Sequence, residues 1–329
     1  MDMIERFEQA IELKEVDRVP LVSPLQTGIV DLMEMTGSYW PDAHKDPNKM
    51  ANLSIAAYKI GGLESVRVPY ENCVEVEALG CVLGNWKVDE QPRVEKHVIS
   101  SSTEMDKLRM PDPKKDGRMP VVIEAVRILK EKVGHEVPVF AAISSPFEML
   151  ARLMDYTQLL REVFSGAEDL HSLLEFATEV ETLYAQHLID AGATGITLVN
   201  GSSSNLGPKF YNEYSLKYEK QLIASLDAYT CIHICGDTTL ILDLMAQSGT
   251  DGISIDSHVP ISKAKEIVGT RAAIIGNVST TNLWKNNPEE IINEAKSCIE
   301  DGVDILAPAC GFPPRTPLEN MQAMKDAVL

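Results

Sequence analysis

The sequence predicts an α/β fold, a closed (β/α)8 barrel of the TIM type, on three observations. Short apolar runs alternate with amphipathic stretches along most of the chain. Eight such runs occur, most beginning or ending at Gly, Pro or Asn, and that number closes a barrel. No G-x-G-x-x-G follows any of them, which disfavours an open dinucleotide-binding sheet.

The predicted strands are residues 19–25, 65–72, 137–144, 195–202, 230–236, 252–257, 272–278 and 304–311. Most are rich in Val, Ile or Ala, as strands buried on both faces are. Helical periodicity occupies residues 119–133, 172–191, 212–226, 238–247 and 288–301 between them. Pro288-Glu289-Glu290 marks a helix start, with Pro in the first turn and acids at the positive end of the dipole. Gly192, Gly249 and Gly302 stand where helices stop before the next strand. Residues 1–15 read as a leading helix that caps the bottom of the barrel. Residues 74–101 alternate between turn residues and read as a β-hairpin insertion after the second strand. With no linker, repeat or low-complexity segment, residues 1–329 read as one barrel domain.

Composition narrows the function. The chain has 329 residues, with 49 Asp plus Glu against 30 Lys plus Arg and a net charge of −19. Such acidity with no basic patch excludes a nucleic-acid partner. No apolar run approaches the ~18 residues of a membrane helix, so no membrane partner is expected. Six scattered Cys and an acidic amphipathic start, unlike a secretory signal, point to a cytoplasmic protein with free thiols or metal ligands.

In a barrel the chemistry belongs at the C-terminal ends of the strands. The fifth predicted strand ends Cys231-Ile232-His233-Ile234-Cys235-Gly236, and alternation puts His233 and Cys235 on one side of it. The eighth ends Leu306-Ala307-Pro308-Ala309-Cys310-Gly311, so Cys310 sits at a matching level. An imidazole and two thiolates suit Zn²⁺, and three ligands with one open position is the catalytic pattern. The plainer alternative is a buried core histidine and two buried thiols. Cys231 lies one layer deeper and reads as packing, as do Cys73, Cys81 and Cys298.

Asp256, at the end of the sixth strand, is a candidate fourth metal ligand, a partner that orients His233, or a turn cap. Glu71, beside Tyr70 at the end of the second strand, is a candidate acid, base, labile ligand or rim residue. Arg67 lies on the same strand face, and if buried it needs a carboxylate partner. Gln26, Tyr70, Glu71 and Asn277 are the candidate substrate contacts. The remaining histidines, His44 among them, have no metal-type neighbours and read as surface or helix residues. Residues 311–317 read as a shaped loop over the mouth, followed by a closing helix.

Several segments carry a family likeness: Gln26-Thr27-Gly28-Ile29-Val30-Asp31-Leu32-Met33, Trp40-Pro41-Asp42-Ala43-His44, Gly62-Leu63-Glu64-Ser65-Val66-Arg67, His233-Ile234-Cys235-Gly236, Gly276-Asn277-Val278 and residues 306–320. Together they resemble the methylcobamide:coenzyme M methyltransferases, within the uroporphyrinogen decarboxylase superfamily. The resemblance implies a TIM-type barrel and a zinc site formed by His233, Cys235 and Cys310. It implies an acidic fourth ligand in some members, for which Asp256 lies in the matching segment but in a less acidic run. It also implies that a small thiol, coenzyme M, takes a methyl group from a methylcobamide presented by a separate corrinoid protein. The decarboxylase branch is the alternative. It carries Arg residues after the first strand, where this chain has Pro24-Leu25-Gln26-Thr27-Gly28, and Glu71 only partly matches its catalytic Asp. A third reading is a non-catalytic barrel that binds partners.

Overall fold

The computed structural model describes residues 1–329. Seven parallel strands form one curled sheet: β1 (Val66–Val68), β4 (Val139–Ser144), β5 (Gly195–Val199), β6 (Tyr229–His233), β7 (Gly252–Ser254), β8 (Ala273–Val278) and β9 (Ile305–Pro308), each paired with the next. The remaining two, β2 (Val82–Gly84) and β3 (Arg93–Lys96), make a separate antiparallel pair.

The first predicted strand is the departure. Residues 19–25 form no regular strand, and only Leu21 bridges Leu306 of β9. The segment nonetheless closes the barrel. The Val22 amide donates to the Leu306 carbonyl at 3.1 Å, the Leu306 amide to Pro20 at 2.9 Å and the Glu64 amide to Leu21 at 2.7 Å. Pro20 and Pro24 lack N–H donors, so a full ladder cannot form there. The Glu64 carboxylate fills part of the gap by accepting from the Leu21 amide at 3.1 Å.

The strands alternate between two cores. In β8, Ala273 and Ile275 point into the barrel, while Ile274 between them packs outward against the helices. The interior cluster also takes Phe140, Cys231, Ile305 and Ala307, and is plugged from below by Phe7, Ala10 and Ile11 of the helix Met3–Ile11. Phe7 meets Phe140 and Tyr229 edge-on, at 5.3 and 5.5 Å between ring centres. Burying that one ring contributes roughly 2–3 kcal/mol. The leading helix therefore caps the barrel bottom as the sequence predicts.

The helix Met119–Val133 matches its predicted bounds, and Pro288–Glu300 is closed by a reciprocal cap between Asn287 and Glu290. Gly192 and Gly302 take positive φ, 111° and 89°, at the ends of their helices. Two stretches differ from expectation. Residues 74–101 begin with the short helix Val74–Ala78, and only then come the two hairpin strands. The helix expected over 238–247 shrinks to Leu242–Ala246. No helix is long and apolar enough to cross a membrane.

Candidate metal and substrate site

The C-terminal ends of the strands open into a cavity of about 580 Å³. His233 is the last residue of β6, and Cys235 and Cys310 each lie two residues beyond their strand. β6 and β9 are separated by two strands, so only closure of the barrel brings these side chains together. The His233 Nε2 stands 3.2 Å from the Cys235 Sγ, and the two sulfurs are 3.7 Å apart. All three donor atoms lie within 4.8 Å of one another.

Tetrahedral Zn²⁺ with sulfur ligands at ~2.3 Å requires an S···S separation near 3.8 Å. The donor set and its spacing therefore fit that ion. The opposite face of the imidazole is fixed as well. His233 Nδ1 lies 3.2 Å from the Ser254 carbonyl and 3.1 Å from its hydroxyl. A carbonyl only accepts, so Nδ1 carries the hydrogen and Nε2 keeps its lone pair for the cavity. The β6–β7 register, His233 opposite Ser254, creates this contact.

The electrostatics divide the two thiols. The hydrogen bond from Cys235, against the cost of burial and helped by His233, holds the Cys310 thiol well below its ordinary value. The Cys235 thiol is pushed up correspondingly by its contact with Cys310 and by burial. Burial opposes charge on His233, but the thiolate of Cys310 outweighs it and raises the imidazole.

The other predicted residues fare unequally. Asp256 does not join the trio. Its carboxylate accepts from the Gly236 amide at 2.9 Å and the His258 amide at 3.1 Å, and it pairs with the His258 ring. Its hydrogen bonds are those of a turn cap, and it is not among the three groups whose donor atoms converge. Asn277 also leaves the set of substrate contacts. It is not on the cavity wall, because its amide nitrogen is spent on the carbonyls of Asp256 and Val259, at 3.0 and 2.9 Å. Gln26 and Tyr70 do line the cavity. Gln26 donates to the Phe312 carbonyl and accepts from the Gly28 amide, pinning the loop after β9. The Tyr70 hydroxyl donates to Met50.

Glu71 lines the cavity too, but its carboxylate is held by Arg118 at 2.7 Å and by the Cys73 amide. Burial pushes this carboxyl up, and the Arg118 charge more than offsets it, leaving Glu71 below the usual range. Arg67 therefore does not find the expected partner in Glu71. Its guanidinium donates to the Pro69 carbonyl and pairs with no carboxylate. His44, expected at the surface or on a helix, is buried against Trp40 and Tyr70, and burial lowers it to about 4.

Sequence reasoning missed Ser254 and Arg118. Aligning the ends of the fifth and sixth predicted strands pairs His233 with Ser254, so that signal was present. Arg118 lies in the loop before a helix and gave none.

Fold and site together define an α/β barrel whose mouth gathers one nitrogen and two sulfur donors that could hold a metal ion. The chain belongs to the uroporphyrinogen decarboxylase (URO-D) family, whose model matches residues 2–329. It is 36% identical over 326 residues to the methylcobamide:CoM methyltransferase MtbA of Methanosarcina acetivorans, covering 97% of this chain and 95% of that one. It is 35% identical over 324 residues to the methylcobamide:CoM methyltransferase MtaA of Methanosarcina barkeri, with the same coverage. Among solved structures, a methyltransferase from Methanosarcina mazei superposes with a TM-score of 0.96 at 35% identity, over 99% of this chain and 98% of that one.

Proposed function

We propose that this protein is a methyltransferase that moves a methyl group from a methylated corrinoid, carried by a separate corrinoid protein, to a small thiol such as coenzyme M. Residues 1–329 act as one barrel unit, and His233, Cys235 and Cys310 hold a zinc ion. The observation that carries this reading is the convergence of one imidazole nitrogen and two sulfurs within 4.8 Å at the cavity. The 35–36% identical relatives, methylcobamide:CoM methyltransferases, support it.

A neutral thiol is a poor nucleophile, and at a pKa of roughly 8.5 it is mostly protonated at neutral pH. Bound at this trio, Zn²⁺ supplies the ionisation of a coordinating thiol. The protein residues set the conditions for that. Two cysteine ligands balance the charge of the dication, so an incoming sulfur keeps its electron density. Ser254 holds the His233 ring so that Nε2 faces the cavity. Gln26 fixes the loop that carries Phe312 over one side of the mouth. Glu71, the residue nearest to a decarboxylase acid, is engaged by Arg118 and gives no support to decarboxylation.

The test is demethylation of methylcobalamin with coenzyme M, homocysteine or no thiol, with zinc measured in the same preparation. The expected result is about one zinc per chain and turnover only with thiol. His233→Ala and Cys310→Ala are expected to lose the zinc. Full zinc occupancy in both variants would overturn the ligand assignment.

A further inference from the structure

The helix Asp169–Asp190 carries two polar side chains for which the site has no use. Glu181 and Tyr184, three residues apart on it, are both fully buried. Beside them lies Glu75 of the helix Val74–Ala78, which is 1% exposed. The Glu75 and Glu181 carboxyls are within hydrogen-bonding reach of each other, and both act on the Tyr184 hydroxyl. One Glu75 oxygen accepts from the Ser144 amide at 3.0 Å. No N–H or O–H of the protein reaches the other Glu75 oxygen or either oxygen of Glu181, and the Tyr184 hydroxyl has no partner.

Buried polar atoms without a donor require an explanation. Two touching carboxylates cannot both stay ionised away from water, and the hydrogen that joins two carboxyl oxygens is a retained proton. Burial, followed by the charge and contact of Glu75, holds Glu181 well above the usual carboxylate range. No surrounding charge removes the need for that proton. Glu71 raises Glu75 further and Arg152 lowers it, but Glu71 is held by Arg118 at 2.7 Å and Arg152 by Glu148 at 2.6 Å. Arg118 also acts on Tyr184, and Glu75 in turn acts on Arg67 and Cys73. The cluster is connected to the mouth through the backbone. Ser144 ends β4, and Ser145 caps the helix Pro146–Leu153 by accepting from the Glu148 amide at 3.2 Å. Glu148 and Arg152 of that helix line the cavity.

We propose that Glu181 is a protonated carboxylic acid at neutral pH that donates its hydrogen to Glu75, and that this acid pair is a pH-sensitive clasp joining the helices Asp169–Asp190 and Val74–Ala78 to the end of β4. While Glu181 keeps its proton, the pair carries at most one charge. When rising pH takes that proton to water, two like charges stand side by side out of solvent, and the clasp opens by parting the helices. The end of β4 and the cavity-lining helix after it are then loosened together. Neither carboxyl touches substrate, and the inference does not depend on the reading of the trio.

The experiment is infrared spectroscopy of the full chain at pH 8, beside hydrogen exchange of the Ser144 amide at pH 8 and pH 10. Wild type is expected to show the carbonyl stretch of a protonated carboxyl at pH 8, where exposed acids are ionised. Glu181→Gln keeps a donor for Glu75 but cannot ionise, and is expected to remove that band. The Ser144 amide of wild type, corrected for the intrinsic effect of pH on exchange, is expected to exchange about tenfold or more faster at pH 10 than at pH 8. In Glu181→Gln the corrected rate is expected to change less than twofold. Absence of a protonated-carboxyl band from wild type overturns the proposal, as does a band that survives unchanged in folded Glu181→Gln. Equal pH dependence of the corrected rates in the two proteins overturns the clasp. Should Glu181→Gln not fold, Glu75→Gln decides. It exchanges the acceptor carboxylate for an amide and is expected to shift the Glu181 band, and an unshifted band overturns the pairing.

Discussion

Arg118 places its Nη1 2.7 Å from the Glu71 Oε1, and the same side chain reaches the Glu77 carboxylate with Nε at 2.6 Å. This ion pair supplies the charge opposite the buried Glu71 carboxylate, three residues beyond the end of β1. Removing Arg118 leaves an uncompensated buried carboxylate. Arg118→Met is expected to cost about 3–5 kcal/mol in denaturant unfolding, with much of the loss recovered by adding Glu71→Gln. The Glu71 carboxyl is lowered in the folded state, so its contribution is present above the unfolded value of roughly 4.3 and is lost as pH falls through the folded value. The penalty of Arg118→Met is therefore expected to shrink in acid. A cost that is the same at pH 7 and at pH 3 would contradict this account.

Glu75 makes the opposite pH prediction. Burial raises its carboxyl to about 7, one oxygen accepts from the Ser144 amide at 3.0 Å, and the buried Glu181 carboxyl lies beside it. A carboxyl raised on folding binds more protons folded than unfolded, so stability falls as pH rises from the unfolded value towards 7. Glu75→Gln keeps an acceptor for Ser144 and removes the titration. The variant is expected to match wild type near pH 4.5 and to exceed it by roughly 2–3 kcal/mol at pH 8. Guanidinium unfolding at the two pH values checks it, and parallel pH slopes would refute it.

Ser254 orients His233 with both its hydroxyl and its carbonyl. Ser254→Ala removes one of the two acceptors, so the expected loss of zinc affinity is about tenfold, the lower end for groups that hold a ligand. Competition with a chromophoric chelator measures this. A change below twofold would show that the carbonyl suffices alone.

Asn277 is expected to act on stability and not on substrate. Asn277→Ala leaves the carbonyls of Asp256 and Val259 without their donor and should cost about 1–3 kcal/mol. Zinc content and KM for the thiol should stay within twofold of wild type. A large rise in KM with unchanged stability would restore Asn277 as a substrate contact.

The legible part of this molecule is what repeats along the chain. Alternating apolar runs and helical periods specify the barrel, because each element must bury one face and only a few layer arrangements allow it. Strand alternation likewise marked His233 and Cys235 as neighbours, and the ends of the two strands put Cys310 at their level. Pro20 and Pro24 mark the first stave as short of donors, a signal that competes with its run of apolar residues.

What the sequence by itself determined was the barrel and the placement of His233, Cys235 and Cys310 at the strand ends. The tertiary structure decided who pairs with whom. Closure brings Cys310 to 3.7 Å from Cys235 across two intervening strands. The loop before the helix Met119–Val133 delivers Arg118 to Glu71, and Asp256 is taken by the Gly236 amide after β6 and the His258 amide of its own turn. The physical reason is range. Periodicity and capping are local and are written in neighbouring residues. The partner of a buried charge is set by loops whose paths depend on the packed whole.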